Sequence, residues 1–233
     1  ASNVYRRQQV LEWIEKYTFP TEAQFSDINV ANSTAEFFCD ELLRNGTTTS
    51  AVFATIHPES VDAIFRAAQK RDMRLISGKV MMDRNAPDFL CDTAQSSYDD
   101  SAKLIEKWHR NGRALYAVTP RFAPTSSDAQ LRVAGRLLQE YDGLYLQSHV
   151  AENADEVAWV AELFPERRSY LDVYDHYGLV GKRSIYAHCI HLDQTDRERM
   201  ASSGAAMAFC PTSNLFLGSG LFDLDSAQLN SVR

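Results

Sequence analysis

Several signatures of well-known protein classes are missing from this sequence of 233 residues. Its four cysteines form no Cys-x-x-Cys pair and are too sparse for a disulfide scaffold. No apolar run approaches the roughly 20 residues that a membrane-spanning helix needs, and the start carries no signal-peptide pattern. We therefore expect reduced thiols in a soluble cytoplasmic protein that has no membrane partner.

Long runs of positive charge are also missing. The formal net charge is −7, and the Lys and Arg residues are scattered along the chain. This balance argues against nucleic acid as a partner and favours a small neutral substrate. No Gly-x-Gly-x-x-Gly or P-loop pattern for phosphate binding occurs. The chain, 45% hydrophobic, suits one domain over residues 1–233.

What the sequence does contain is a regular alternation of strand-like and helix-like segments. An amphipathic helix is predicted at 4–16, and a second follows a cap at Asn32-Ser33-Thr34 and stops at Asn45-Gly46. Six strands are predicted at 47–53, 74–82, 114–118, 144–149, 184–188 and 205–209. Helices are predicted between these strands at 58–69, 97–110, 127–140, 153–163, 168–177 and 193–202.

This alternation predicts parallel strands with right-handed crossovers. Either an open doubly wound sheet or a (β/α)₈ barrel satisfies it. Polar residues at the ends of several different strands favour the barrel, because a barrel gathers all its strand ends at one mouth. These residues are Arg121, His149, His188 and Ser213-Asn214. Six strands, however, do not close a typical barrel.

The strongest chemical pattern is Gln147-Ser148-His149-Val150-Ala151-Glu152, where a strand turns into a helix. A neutral imidazole here is a good zinc ligand, and Glu152 could move protons at a metal-bound water. His188 ends the next strand, so both histidines could share one metal. The alternative is a buried structural histidine with a glutamate that complements a helix dipole.

For the other candidate site residues, the local pattern allows both a functional and a structural role. Arg121 could donate paired hydrogen bonds to a substrate and Phe122 could stack on a flat ring, or they could be a surface arginine and a core phenylalanine. The loop Cys210 to Asn214 favours a structural role, and Cys189 favours a core position. Among the remaining histidines, His57 is a weak site candidate, and surface positions are expected for His109, His176 and His191.

Three of these runs together resemble the amidohydrolase superfamily: 147–153, 187–189 and 209–214. Within it, the similarity is greatest to the guanine deaminases of bacteria. Thr119-Pro120-Arg121-Phe122, Tyr17 to Glu22, Asn45 to Thr49 and Leu215 to Phe222 extend the resemblance over nearly the whole chain. The resemblance implies a Zn²⁺-dependent homodimer that hydrolyses guanine to xanthine and ammonia. It also implies His149 and His188 as zinc ligands, Glu152 in proton transfer, and Arg121 with Phe122 on the purine.

Two parts of the family pattern are not found in this sequence. The resemblance implies a His-x-His motif at the first barrel strand, which should precede residue 1, and an Asp after the last strand, usually in a Thr-Asp pair, which should follow residue 233. No His-x-His run occurs, and no Thr-Asp pair follows the strand predicted at 205–209. We therefore expect the six strands to be strands two to seven of eight, in an internal fragment of a longer chain. An amidohydrolase for another aminated or chlorinated heterocycle, and a catalytically incompetent fragment, are the alternative interpretations.

Overall fold

Parallel strands form the centre of the molecule. The structure, a computed structural model, describes residues 14–230 and 232. Its sheet has the order β1-β2-β4-β5-β6-β7, with β3 paired to β4, and every pair is parallel. The strands are β1 Thr49–Phe53, β2 Arg74–Gly78, β3 Val80–Met81, β4 Ala114–Pro120, β5 Tyr145–Val150, β6 Ser184–His188 and β7 Ala206–Ala208. The predicted parallel arrangement is confirmed.

The single strand predicted over 74–82 is wrong, because β2 and β3 are separated by Lys79. A Cβ atom on Gly78 would lie 1.8 Å from the Ala117 carbonyl oxygen, so only glycine permits this close approach of β2 to β4. The Lys79 amide then donates to the Tyr116 hydroxyl at 3.2 Å instead of continuing the ladder. Both features depend on a neighbouring strand, which the local pattern does not reveal.

Ten α-helices are found in the described part of the chain. They are α1 Phe19–Ala23, α2 Ile28–Arg44, α3 Pro58–Lys70, α4 Ala94–Trp108, α5 Asp128–Glu140, α6 Ala154–Leu163, α7 Tyr170–His176, α8 Gln194–Ser203, α9 Pro211–Leu217 and α10 Leu224–Leu229. A π-helix at Ile14–Thr18 precedes them, and the helix predicted at 4–16 lies mostly outside the described residues. The sequence patterns do not predict helices α1, α9 and α10.

Two predicted helix starts are corrected by capping side chains. Helix α2 begins after Asp27, whose carboxylate accepts from the Asn29 amide, so the Asn32-Ser33-Thr34 run lies inside the helix. Helix α4 begins after Thr93, which forms a reciprocal capping box with Ser96, three residues before the predicted start. The predicted stop at Asn45-Gly46 is confirmed, with Gly46 at φ +80°.

Two clusters of buried apolar side chains form the core that holds the helices against the sheet. The larger packs helices against the sheet and includes the fully buried Tyr116, Leu75 and Leu146. A smaller one, of Phe19, Ile56, Val80, Met82 and Leu90, joins the start of α1 to the β2–β3 region. Burying a large apolar side chain stabilises the fold by about 1.5–3 kcal/mol. In residues 14–230 and 232, no helix has the length and apolar character needed to cross a membrane.

Candidate active site

His149 lies near the carboxyl end of β5 and is partly buried. Its Nδ1 is 2.8 Å from the Arg121 carbonyl oxygen, and because a carbonyl only accepts, Nδ1 carries the proton. The Nε2 lone pair is therefore directed away from that bond. Burial, assisted by nearby His188, lowers the pKa of His149 to about 3, so the ring is neutral at physiological pH.

His188 ends β6 and is buried. Its Nδ1 is 2.7 Å from Oδ1 of Asn214, and with the amide in this orientation Nδ1 again donates. The two imidazole rings lie nearly parallel, at 24°, with their centroids 5.5 Å apart. The structure thus brings together both predicted metal ligands in the tautomer that leaves Nε2 unprotonated and able to bind a metal.

Glu152 lies beside His188, at the start of the connection from β5 to α6. One carboxylate oxygen, Oε2, is 3.6 Å from Nε2 of His188, and the other accepts from the Ser219 hydroxyl at 3.1 Å. The first distance is too long for a hydrogen bond. The carboxylate is buried next to the nitrogen that would face a metal or its bound water.

Left-handed backbone conformations occur at both turns that carry these residues. Ala151 has φ +50°, His188 +72° and Cys189 +53°. Such conformations cost about 1–3 kcal/mol each for residues other than glycine, and they cluster at functional sites. The two turns are joined by backbone hydrogen bonds, from the Cys189 amide to Val150 at 3.0 Å and from the Ile190 amide to Ala151 at 3.1 Å.

Arg121 contributes through both its backbone and its side chain. Its carbonyl accepts from His149, and Nη1 donates to both carboxylate oxygens of Glu22 at 2.8 Å. The guanidinium also lies 5.6 Å from the centre of the Phe19 ring. Only 14% of the side chain is exposed, so the alternative of a surface arginine is wrong.

Phe122 is partly buried, and its ring contacts Trp159 edge-on at 6.4 Å between centroids. Cys189 is buried as predicted, and its thiol donates to the Tyr186 carbonyl at 3.3 Å. Burial raises the pKa of this thiol well above its usual value, which disfavours the thiolate form.

The other histidines lie outside the His149–His188 pair. His176 and His191 are exposed, as predicted. The prediction of a surface position for His109 is wrong, because this partly buried ring accepts from the Tyr116 amide and lies 3.2 Å from the Asp142 carbonyl. His57 precedes α3 and lies 3.0 Å from the Thr55 hydroxyl.

Several neighbours of the site do not stand out in the sequence. The pattern around Asn214 favours a structural role, and no local pattern assigns a role to Glu22, Glu156, Tyr170, Tyr174 or Ser219. Spacing alone could have indicated only Glu156, because Asn153 and Glu156 fit a capping-box pattern. The other contacts join segments far apart in the sequence.

The residues present fit part of a metal site. Both histidines have their Nδ1 atoms engaged and their Nε2 atoms available, the arrangement that orients imidazole ligands in metalloenzymes. Across residues 14–230 and 232, however, no group of three or more His, Cys, Asp or Glu side chains could by itself hold a metal ion. The described part thus brings two imidazole Nε2 atoms and one buried carboxylate close together.

Comparison with known proteins identifies the family of this chain. The sequence model of the protein family described as the Amidohydrolase family matches residues 2–233. The chain belongs to the amidohydrolase family. Guanine deaminase of Escherichia coli strain K12 is 55% identical over 226 residues, which cover 97% of this chain and 52% of that protein. Guanine deaminase of Dictyostelium discoideum is 39% identical, and the matched region covers 48% of that protein. This amidohydrolase chain spans about half the length of the curated relatives it matches.

Solved structures of family members extend the comparison. E. coli guanine deaminase superposes with a TM-score of 0.94 at 56% identity, over 95% of this chain and 52% of that one. The structure of guanine deaminase from C. acetobutylicum, with bound guanine in its active site, superposes with a TM-score of 0.92 at 34% identity. The match covers 98% of this chain and 55% of that one. The predicted fold class is confirmed: the chain forms a partial (β/α) barrel of the amidohydrolase type.

Proposed function

We propose that the full-length product of this gene is a zinc-dependent guanine deaminase that converts guanine and water to xanthine and ammonia. The observation that carries the proposal is the pair of unprotonated Nε2 atoms on His149 and His188 next to the buried Glu152 carboxylate. The relatives named guanine deaminase support the choice of substrate.

His149 and His188 would hold the zinc through Nε2, together with ligands outside the described residues. When bound, zinc supplies Lewis acidity that lowers the pKa of a water ligand towards 7. Glu152 accepts the proton of the attacking water at its carboxylate and delivers protons to the ring nitrogen and the leaving amine. The water oxygen becomes bonded to carbon 2 of guanine, and the bond from that carbon to the amino nitrogen breaks.

Arg121 and Phe122 would bind the purine. The guanidinium carries five N–H donors, and Glu22 accepts from Nη1. The carboxylate thereby limits the rotation of the Arg121 side chain, and the remaining donors can pair with acceptors on the purine. Phe122, supported edge-on by Trp159, offers an aromatic face to a flat base.

Cellular context forms part of the same proposal. A homodimeric state and a role in purine catabolism are what the resemblance implies, and we add a cytoplasmic location because the cysteines are sparse and unpaired in the sequence pattern. The four free cysteines of the described chain are consistent with a reducing compartment.

Ammonia release by the purified full-length gene product, with its metal content measured, tests the proposal. We expect about one zinc per chain and guanine turnover that is lost on chelation and restored by zinc. Adenine, cytosine and amino- or chloro-substituted triazines serve as competing substrates. Zinc-loaded protein that acts on one of these heterocycles and leaves guanine unchanged would refute the assignment of guanine and favour the alternative.

A further inference from the structure

Glu156, in the first turn of α6, has a buried carboxylate with partners on two sides. Its Oε2 accepts from the Glu152 amide at 3.0 Å and from the Asn153 amide at 3.4 Å. Its Oε1 accepts from the Tyr170 hydroxyl at 2.6 Å. The carboxylate thus joins the turn that carries Glu152 to helix α7.

An ordinary capping box explains only part of this arrangement. In such a box the side chain of the third helical residue accepts from the amide of the N-cap residue, here Asn153. The shorter bond from Glu156 reaches one residue further back, to the amide of Glu152 itself. That amide follows Ala151, whose left-handed φ of +50° requires support from its surroundings.

Tyr170 makes this support rigid. It is 3% exposed, and its ring stacks on Tyr174 at 5.7 Å between centroids. Tyr174, one helical turn further along α7, donates to the His149 carbonyl at 2.8 Å. One face of α7 therefore contacts both site-bearing segments, Tyr174 at His149 and Tyr170, through Glu156, at Glu152.

We propose that Glu156 and Tyr170 form a positioning pair that fixes the turn carrying Glu152 and thereby directs its carboxylate towards Nε2 of His188. The inference rests on the proposed function, in which Glu152 transfers protons. The role that we propose requires no contact of either side chain with substrate or metal. Its effect is on the orientation of Glu152, and an error of about 1 Å in the orientation of a catalytic group can cost on the order of a hundredfold in rate.

Tyr170→Phe and Tyr186→Phe, compared in the zinc-loaded full-length gene product, test the pair. Both substitutions remove one buried hydroxyl from the same aromatic stack, but the Tyr186 hydroxyl donates to the Leu179 carbonyl and not towards Glu152. We expect hydrogen exchange at the Glu152 and Asn153 amides to become about tenfold faster in Tyr170→Phe alone. We also expect kcat for guanine to fall about tenfold, with KM changed less than about twofold.

Glu156→Gln and Glu156→Leu separate hydrogen bonding from charge. The glutamine carbonyl can still accept from the Glu152 amide, so slow exchange and a kcat within about threefold of wild type are expected. The leucine variant should show fast exchange and a kcat at least as low as that of Tyr170→Phe. Loss of activity in Glu156→Gln with unchanged exchange would overturn the positioning role.

The exchange measurement also distinguishes this inference from the proposed function. Unchanged exchange at Glu152 in Tyr170→Phe overturns the pair, whatever the substrate. Faster exchange with unchanged kcat overturns its contribution to catalysis. A wild-type protein that does not deaminate guanine refutes the proposed function, while the exchange rates still decide whether the pair holds the turn.

Discussion

Backbone and amide partners set the chemical state of the two site histidines. The Arg121 carbonyl and the Asn214 amide oxygen each accept from an Nδ1 atom, which fixes the proton there. The sequence indicated histidines as ligands but gave no information on the tautomer. Only these two partners make both Nε2 atoms available to a metal.

Replacing Glu152 by glutamine should separate proton transfer from metal binding. Glu152→Gln in the full-length gene product should keep its zinc and lose about 10²- to 10⁴-fold in kcat, since the amide cannot accept the proton of water. Metal analysis and steady-state kinetics with guanine check both expectations. Glu166→Gln, at an exposed surface position, is the control. Turnover at the wild-type rate would remove Glu152 from the mechanism.

Arg121→Ala should weaken the use of guanine more than the binding of zinc. We expect kcat/KM for guanine to fall about tenfold or more, because a charged donor to the purine is lost, with zinc content unchanged. Arg132→Ala is a matched control, since Arg132 pairs with Asp128 on the exposed side of α5. Unchanged kcat/KM would exclude Arg121 from substrate binding.

The ionisation of Glu156 should make stability depend on pH. Burial, together with the charge of Glu152, raises the pKa of Glu156 to about 7 from 4.5. The stability that protonated Glu156 contributes is fully present below the unfolded-state pKa of 4.5. This stability is lost as the pH rises through the folded-state pKa of about 7. The stability of wild type relative to Glu156→Gln should therefore fall by up to about 3 kcal/mol between pH 4.5 and 8. Denaturant titrations check this, and a difference independent of pH would contradict it.

Two individual helices, α7 and α9, bring residues that are distant in the sequence into contact with the site histidines. Helix α9 begins at Pro211, shortly after β7, and presents Asn214 to His188, while α7 supports His149 through Tyr174. Neither contact follows from the pattern of its own segment. The predicted strands at 144–149 and 184–188 lie close to the observed β5 and β6, because each contains residues typical of strands, Tyr145 in the first and Ile185 with Tyr186 in the second.

Asn214→Ala tests the contribution of α9. Loss of the Oδ1 acceptor frees the His188 ring to rotate or change tautomer, so zinc affinity of the full-length gene product should fall about 10- to 100-fold. Competition with a chelator measures the affinity. Thr212→Ala, at an exposed position of the same helix, should leave it unchanged. Equal affinities for the two variants would show that Asn214 does not orient the ligand.

At the scale of the whole molecule, the sheet is open at both ends. Within residues 14–230 and 232, β1 pairs only with β2, and β7 pairs only with β6. In the proposed site, the two histidines would provide half of a tetrahedral zinc shell. The coverage of about half of the E. coli relative agrees with a barrel that is partial in this chain.

The 233-residue chain by itself should therefore hold zinc poorly. After dialysis we expect clearly less than one zinc per chain, while the full-length gene product keeps about one. The double variant His149→Ala/His188→Ala gives the level of adventitious metal in the same chain. Stoichiometric zinc in the 233-residue wild type, absent from the double variant, would contradict a site limited to two ligands.

The sequence determined the alternation of strands and helices, since hydrophobic period and turn residues are local properties. It also determined which residue types stand at the strand ends, so local patterns indicated His149, Glu152 and His188 as candidates, while the predicted role of Arg121 came from the family resemblance. Most of the predicted strands and helices have boundaries within a few residues of those observed. The division of strand 74–82 and the starts of α2 and α4 were the main local errors.

Tertiary structure alone decided how these side chains are held. The Arg121–Glu22 ion pair joins residues 99 positions apart, and the Asn214–His188 bond spans 26. Such contacts depend on parallel strands that bring their carboxyl ends to one side of the sheet, and no local pattern records them. The sequence thus specified the reactive groups, and the packing of α7, α9 and the strand ends specified their protonation and direction.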